Sequence, residues 1–343
     1  MNKFKKLSKG DKVAVLSPSF AAPGMFPVVY ELGLERLRTV FGLEPVEFPT
    51  TRKLGASGEE RAADLVEAFT DPDIKVVIAT IGGDDQVTYI KHLPPEPFRE
   101  NPKPFFGYSD NSHFSNFLFL QGIPSYYGGS IMTQYAMQGE MDAYTVEYIK
   151  HALFVGGEKE LIASATYTDQ EHDWHDESLL HTRRPHWENE GHVWDGEQSA
   201  RGMIWGGCVE SLDEMLRHNI PIPTLEQFEE IVLMLETSEE IPNASYVFRV
   251  VRALGERGIL ARVRGVLVGR AKAWEFDKPF TLVQKEEYRK QQQETILKTI
   301  RHYHPTIPIV QNMNFGHTDP QIPMPYGGEV RIDAQEKRLF ADF

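Results

Sequence analysis

The chain has 343 residues, 41% of them hydrophobic and 25% charged, which is ordinary globular composition with enough length for two cores. Fifty acidic residues against 36 basic ones leave a formal net charge of −14, and no Lys/Arg-rich run offsets it. Such a surface repels nucleic-acid backbones and anionic membranes, so neither is an expected partner. The basic start, Met1 to Lys6, runs into Ser8-Lys9-Gly10-Asp11 before any apolar run of signal-peptide length. With no stretch of 18 apolar residues and a single cysteine, Cys208, a cytoplasmic setting is expected.

In chain order, Lys12–Leu16 reads as a β-branched strand stopped by Ser17-Pro18. Tyr30, Leu34, Leu37 and Phe41 share one helical face that ends at Gly42. Val46–Phe48 is a short strand. Ser57 and Glu60 form a capping box for a helix that buries Ala62, Leu65, Val66 and Phe69. Strands follow at Lys75–Thr80, Pro104–Tyr108 and Ile123–Tyr127, with helices at Asp110–Leu120 and Ala143–Phe154. This alternation predicts a parallel, Rossmann- or flavodoxin-like sheet with helices on both faces, spanning residues 1–160. Residues 166–199 carry three Trp, five His and many acids without periodicity, and read as a long surface loop. Within 161–343 the spacing predicts a mixed α/β domain with a small sheet or barrel. Its strands fall at Gly202–Trp205, Ile231–Leu235, Val263–Val268 and Ile307–Gln311. Its helices fall at Val209–His218, Tyr246–Arg257 and Val283–His302, and Glu329–Asp342 closes it as a hairpin.

Ligands of parallel sheets sit beyond the carboxyl ends of the strands. There Phe106-Gly107-Tyr108-Ser109-Asp110 turns from strand to helix, exposing the Ser109 hydroxyl beside a helix N-terminus, with the Asp110 N–H placed to help form an oxyanion hole. Asn111 stands where a Gly-x-Ser-x-Gly elbow has its last glycine, which sets the chain apart from the common α/β-hydrolases. Ser109 also suits a helix cap, and the turn alone does not separate the two roles. For a base, His317 follows a strand end and a glycine, whereas His113, one helical turn beyond Ser109, is expected to point along the surface. Glu236 ends a strongly apolar strand and is a candidate to orient the base, with Glu239 and Glu240 as neighbours. A histidine and acid cluster at 172–181 lacks the spacing of a zinc site, and no metal or other cofactor is expected.

Ser17-Pro18-Ser19, Ile81-Gly82-Gly83, Gly107-Tyr108-Ser109-Asp110, Ile204-Trp205-Gly206-Gly207, Leu233-Met234-Leu235-Glu236 and Phe315-Gly316-His317 together resemble the LD-carboxypeptidase family of serine peptidases. The resemblance spans nearly the whole chain. It implies Ser109 as nucleophile, Glu236 as acid, His317 as base, and the N–H groups of Gly83 and Asp110 as the oxyanion hole. Cys208 stands where the family often has Asn, and Ile81-Gly82-Gly83 lacks the Arg-Gly-Gly of many peptidoglycan-trimming members. The chain looks more like the microcin C self-immunity branch, which cleaves the amide between an amino acid and a nucleotide-like group. Arg183-Arg184-Pro185-His186-Trp187 resembles the segment carrying that branch's base-stacking tryptophan, so Trp187 is the implied substrate contact. Alternatively Trp174, Trp187 and Trp194 pin the loop to the surface. A murein tetrapeptide LD-carboxypeptidase and a non-catalytic small-molecule binding protein are the rival readings. The expected partner is a small peptide or aminoacyl-nucleotide, with a homodimer left open.

Overall fold

Short runs of β-branched and apolar residues become strands here because both of their faces are covered. The computed structural model describes residues 4–343. The first half contributes β1 (Lys12–Leu16), β2 (Glu44–Glu47), β3 (Ile74–Ala79), β4 (Phe105–Gly107) and β5 (Ser125–Tyr127). These pair in the order β2-β1-β3-β4-β5, all parallel. Then come β6 (Glu158–Glu160), β7 (Thr166–Tyr167), β8 (Trp187–Glu188), β9 (Val193–Asp195), β10 (Ala200–Cys208), β11 (Ile231–Glu236), β12 (Gly265–Gly269), β13 (Ile309–Met313), β14 (Met324–Tyr326), β15 (Glu329–Asp333) and β16 (Arg338–Asp342).

Strands β10 to β13 are parallel and adjacent, and β9 closes their edge antiparallel to β13. Hydrogen bonding does not stop between the halves. β14 pairs antiparallel with β5 and touches β10 through Ile204 and Tyr326, so the second set of strands continues the first sheet. The expected closing hairpin is β15–β16, and it folds back on the start of β10.

Local signals act as the sequence suggests. The Ser57 side chain accepts from Glu60 N–H and the Glu60 carboxylate accepts from Ser57 N–H, completing the capping box of helix Gly58–Thr70. Two further boxes, Thr224 with Gln227 and Thr281 with Gln284, open the helices Leu225–Phe228 and Leu282–Tyr303. The halves are also joined by packing. Trp205 on β10 is fully buried, and its Nε1 donates to Asn116 Oδ1 on the helix Ser112–Leu120, at 3.0 Å.

The 166–199 segment lies on the surface but is tied down. Thr168 and Asp319 exchange backbone hydrogen bonds of 2.7 and 2.9 Å. The buried Arg184 meets Asp319 Oδ2 at 2.7 Å, and Gln134 donates to Asp319 Oδ1 at 3.1 Å. Asp169 takes Lys285 Nζ at 2.6 Å, and Trp174 packs edge-on against Phe26. No helix among the described residues is long and apolar enough to cross a membrane.

Replacing Trp205 by Phe removes the indole donor and leaves a void beside the buried Asn116 amide. Urea unfolding of Trp205→Phe should show a loss of about 2–3 kcal/mol with an unchanged m-value.

Candidate active site

Four strand ends converge on one cleft. Gly82 and Gly83 follow β3, Ser109 follows β4, Glu236 ends β11, and His317 lies four residues past β13. Ser109, Gly82, Gly83, His317 and Glu239 all line a cavity of about 430 Å³.

Ser109 occupies the left-handed region at φ 63°. For a residue with a Cβ that conformation costs about 1–2 kcal/mol, and such strain persists only where the surroundings enforce it. The enforcing contacts are visible. Ser109 N–H donates to Tyr127 Oη at 3.2 Å, and its carbonyl accepts from Ser112 Oγ at 2.7 Å and Ser211 Oγ at 3.2 Å. Gly82 packs so close that a Cβ there would lie 2.8 Å from Ser109 Cβ. Ser109 therefore does not act as a side-chain cap, and its hydroxyl is left facing the cleft. The Gly83 N–H makes no hydrogen bond among the described residues, and Gly83 lines the same cleft.

Glu236 is 1% exposed. Its Oε1 accepts from Tyr127 Oη at 2.6 Å and its Oε2 from His317 Nδ1 at 2.7 Å. Gly316, at φ +91°, gives the carboxylate room, since a Cβ there would lie 2.6 Å from Glu236 Oε2. The expected pairing of Glu236 with His317 is present in geometry. The other imidazole nitrogen, Nε2, sits 3.1 Å from Glu239 Oε2. Among the described residues Ser109 Oγ and His317 make no hydrogen bond; the imidazole is engaged by Glu236 and Glu239. Burial alone would lower the His317 pKa, but Glu236 and Glu239 together hold it well above the ordinary histidine value. Although about half of the Glu239 side chain is open to solvent, the protein around it would raise its pKa, yet His317 and Lys272 bring it down to about 2.

His113 departs from expectation. It is fully buried, and its ring turns inward to meet Asp110 Oδ1 at 3.0 Å, with Nε2 3.8 Å from Glu214. Burial opposes the charge on His113, but Asp110 and Glu214 raise its pKa. One ligand atom from each of Asp110, His113 and Glu214 lies within 4.8 Å of the others. Asp110 also accepts from Gln86 N–H at 3.0 Å, so its carboxylate braces the turn while its backbone remains at the helix entrance. Cys208 is buried at the end of β10, where its thiol donates to Glu210 at 3.1 Å and burial raises its pKa.

Trp187 does not line the cleft. It pairs with Tyr167 across β7–β8, under Lys285 Nζ at 4.3 Å from the ring. Trp174 lines the cleft instead, together with Phe20 and Tyr108. Tyr127 was not singled out by sequence. Its only signal is its place at the end of a strand beside the one that carries Ser109.

Residues 13–128 match the LD-carboxypeptidase N-terminal domain and residues 201–332 the LD-carboxypeptidase C-terminal domain. The chain belongs to the LD-carboxypeptidase family. That family comprises serine-type carboxypeptidase hydrolases, and the protein is a hydrolase of this kind. A putative carboxypeptidase of Treponema pallidum is 27% identical over 96% of this chain and 92% of its own length. The microcin C7 self-immunity protein MccF of Escherichia coli is 21% identical over 82% of this chain and 77% of its own. Among solved structures, the MccF-like protein of Streptococcus pneumoniae in complex with AMP superimposes with a TM-score of 0.84. It is 28% identical and covers 97% of this chain and 99% of its own.

The His317 environment predicts a titration that needs no substrate. A raised folded-state pKa stabilises the fold below the free-histidine value of about 6.5, and that stabilisation is lost as pH rises through the folded value. NMR of ring-labelled histidine should find His317 still protonated above pH ~6.5. In Glu239→Gln its pKa should fall, and the variant should lose less stability on going from neutral to alkaline pH.

Proposed function

We propose that this LD-carboxypeptidase-family chain hydrolyses an amide through Ser109, His317 and Glu236, on substrates that join an amino acid or short peptide to a nucleotide-like group. The observation that carries the reading is the hydrogen-bonded run from the strained Ser109 through Tyr127 to Glu236 and on to His317 Nδ1. In it Glu236 fixes the tautomer of His317, so that Nε2 is the basic nitrogen. When Nε2 parts from Glu239, the histidine's raised pKa falls and Nε2 gives up its proton to solvent; the neutral Nε2 then takes the Ser109 proton as Oγ attacks the amide carbonyl. The N–H groups of Gly83 and Asp110 receive the developing oxyanion, and the protonated His317 then donates to the departing nitrogen. Water deacylates Ser109 with His317 again as base.

Substrate class is supported by the AMP held in the Streptococcus pneumoniae relative. Among the aromatic residues bordering the cleft, the Trp174 indole is available to a nucleobase, a role that the sequence alone had given to Trp187. The alternative, trimming of the terminal residue from a murein tetrapeptide, uses the same catalytic groups and differs in what the cleft walls grip.

Ser109→Ala should fold normally and lose activity by roughly 10⁴-fold or more, and adding His317→Ala should cost little further because the residues act as a unit. Full activity in Ser109→Ala would sink the proposal.

Stacking makes a separate prediction. Trp174→Ala should weaken handling of an aminoacyl-sulfamoyl adenosine by about 5- to 150-fold, corresponding to about 1–3 kcal/mol, and spare a peptide substrate without a base. Trp187→Ala should affect both substrates alike, through the Tyr167 and Lys285 packing. Steady-state kinetics on the two substrates distinguishes these outcomes.

A further inference from the structure

We infer that the cleft selects substrates whose aminoacyl or peptidyl part carries positive charge, with Glu239 and Glu240 as the residues that read it. The inference rests on the hydrolase reading and deepens it by naming a substrate class.

The cleft that holds Ser109 is lined by Asp84, Glu171, Glu239, Glu240 and Glu275, against only Lys272 and His317 as positive partners. Neither cation is free to receive a substrate anion. Lys272 is buried, with its Nζ 3.2 Å from Glu171 and 3.0 Å from Glu275. His317 is divided between the buried Glu236 and Glu239. Asp84 and Glu240 are exposed and form no ion pair among the described residues, and half of the Glu239 side chain is open to solvent.

A recessed surface with charge of one sign focuses its field into the opening, where low-dielectric walls weaken screening. A substrate carboxylate entering here meets no unengaged cation. An ammonium or guanidinium meets the carboxylates of Glu239 and Glu240 on the cleft wall.

The position of Glu239 gives the selection a kinetic side. Its carboxylate is paired at 3.1 Å with His317 Nε2, the nitrogen that the hydrolase reading turns toward Ser109. A substrate cation that draws Glu239 toward itself loosens that ion pair and lets the imidazole turn to the serine. Charge recognition should therefore be visible in kcat as well as in KM.

The test uses the full chain with lysyl-, leucyl- and aspartyl-sulfamoyl adenosine, which differ only in the aminoacyl side chain. The expected order of kcat/KM is lysyl, then leucyl, then aspartyl, with the extremes at least about tenfold apart and the gap shrinking in about 0.5 M salt. Glu239→Gln and Glu240→Gln should each narrow the ratio. Calorimetric binding of the same compounds to Ser109→Ala should follow the same order. Equal binding, or a preference for the aspartyl compound, overturns the inference while cleavage leaves the hydrolase reading intact. Binding in the expected order without cleavage by the wild-type chain overturns the hydrolase reading and leaves charge selection standing. Neither binding nor cleavage overturns both.

Discussion

A carboxylate taken out of water costs several kcal/mol unless it is paired and hydrogen-bonded, and Glu236 is almost wholly out of water. The centre of the molecule answers that constraint. Tyr127 comes from the first half of the sheet to satisfy one oxygen, and His317 comes from the loop after β13 to satisfy the other. Gly316 and Gly269 keep the carboxylate's surroundings clear, since a Cβ on Gly269 would lie 2.9 Å from Glu236 Cβ. Because the Tyr127 hydroxyl also receives the Ser109 N–H, satisfying one buried charge fixes the position of Ser109 relative to Glu236. That requirement explains why the sheet must be continuous. β5, which carries Tyr127, and β11, which ends in Glu236, are held in one framework through β14 and β10.

Much of this was readable from the chain. Apolar runs bounded by Ser-Pro, Gly-Gly and Gly-Tyr-Ser located the strands whose ends form the cleft, and the resemblance supplied the pairing of Glu236 with His317. Three things were not readable, each for a physical reason. β14 is only Met324-Pro325-Tyr326, too short for periodicity and interrupted by a proline, yet it joins the halves. Tyr127 looked like the apolar end of a strand, because the partner of its hydroxyl lies 109 residues away. Which tryptophan faces the cleft depends on the path of the 166–199 segment. The buried Arg184–Asp319 pair and the Thr168–Asp319 bridge set that path, and neither leaves a local pattern. His113 misled in the opposite direction. A histidine one turn beyond Ser109 reads as a surface group, whereas the helix Ser112–Leu120 is buried on most sides and the ring finds its partners inside.

Two histidines thus sit near Ser109 with acids on both sides, and their surroundings differ in use. His113 is closed in by Asp110 and Glu214 beneath the turn, its Nδ1 3.0 Å from Asp110 Oδ1. His317 has one closed partner, Glu236, and one partner half open to solvent, Glu239. The first arrangement favours rigidity. The second leaves one hydrogen bond exchangeable, which a base requires if it is to shuttle a proton.

Asp319 lies two residues beyond His317, and its side chain is shared between Gln134 of the first half and Arg184 of the tryptophan-bearing segment. Its backbone is bridged to Thr168 at that segment's other end. The cleft wall and the His317 loop therefore hang from a common post. A change in the length or composition of residues 166–199 would pull on the histidine loop as well as reshape the cleft. A change in the shape of the cleft wall is consequently coupled to a change in how His317 is held.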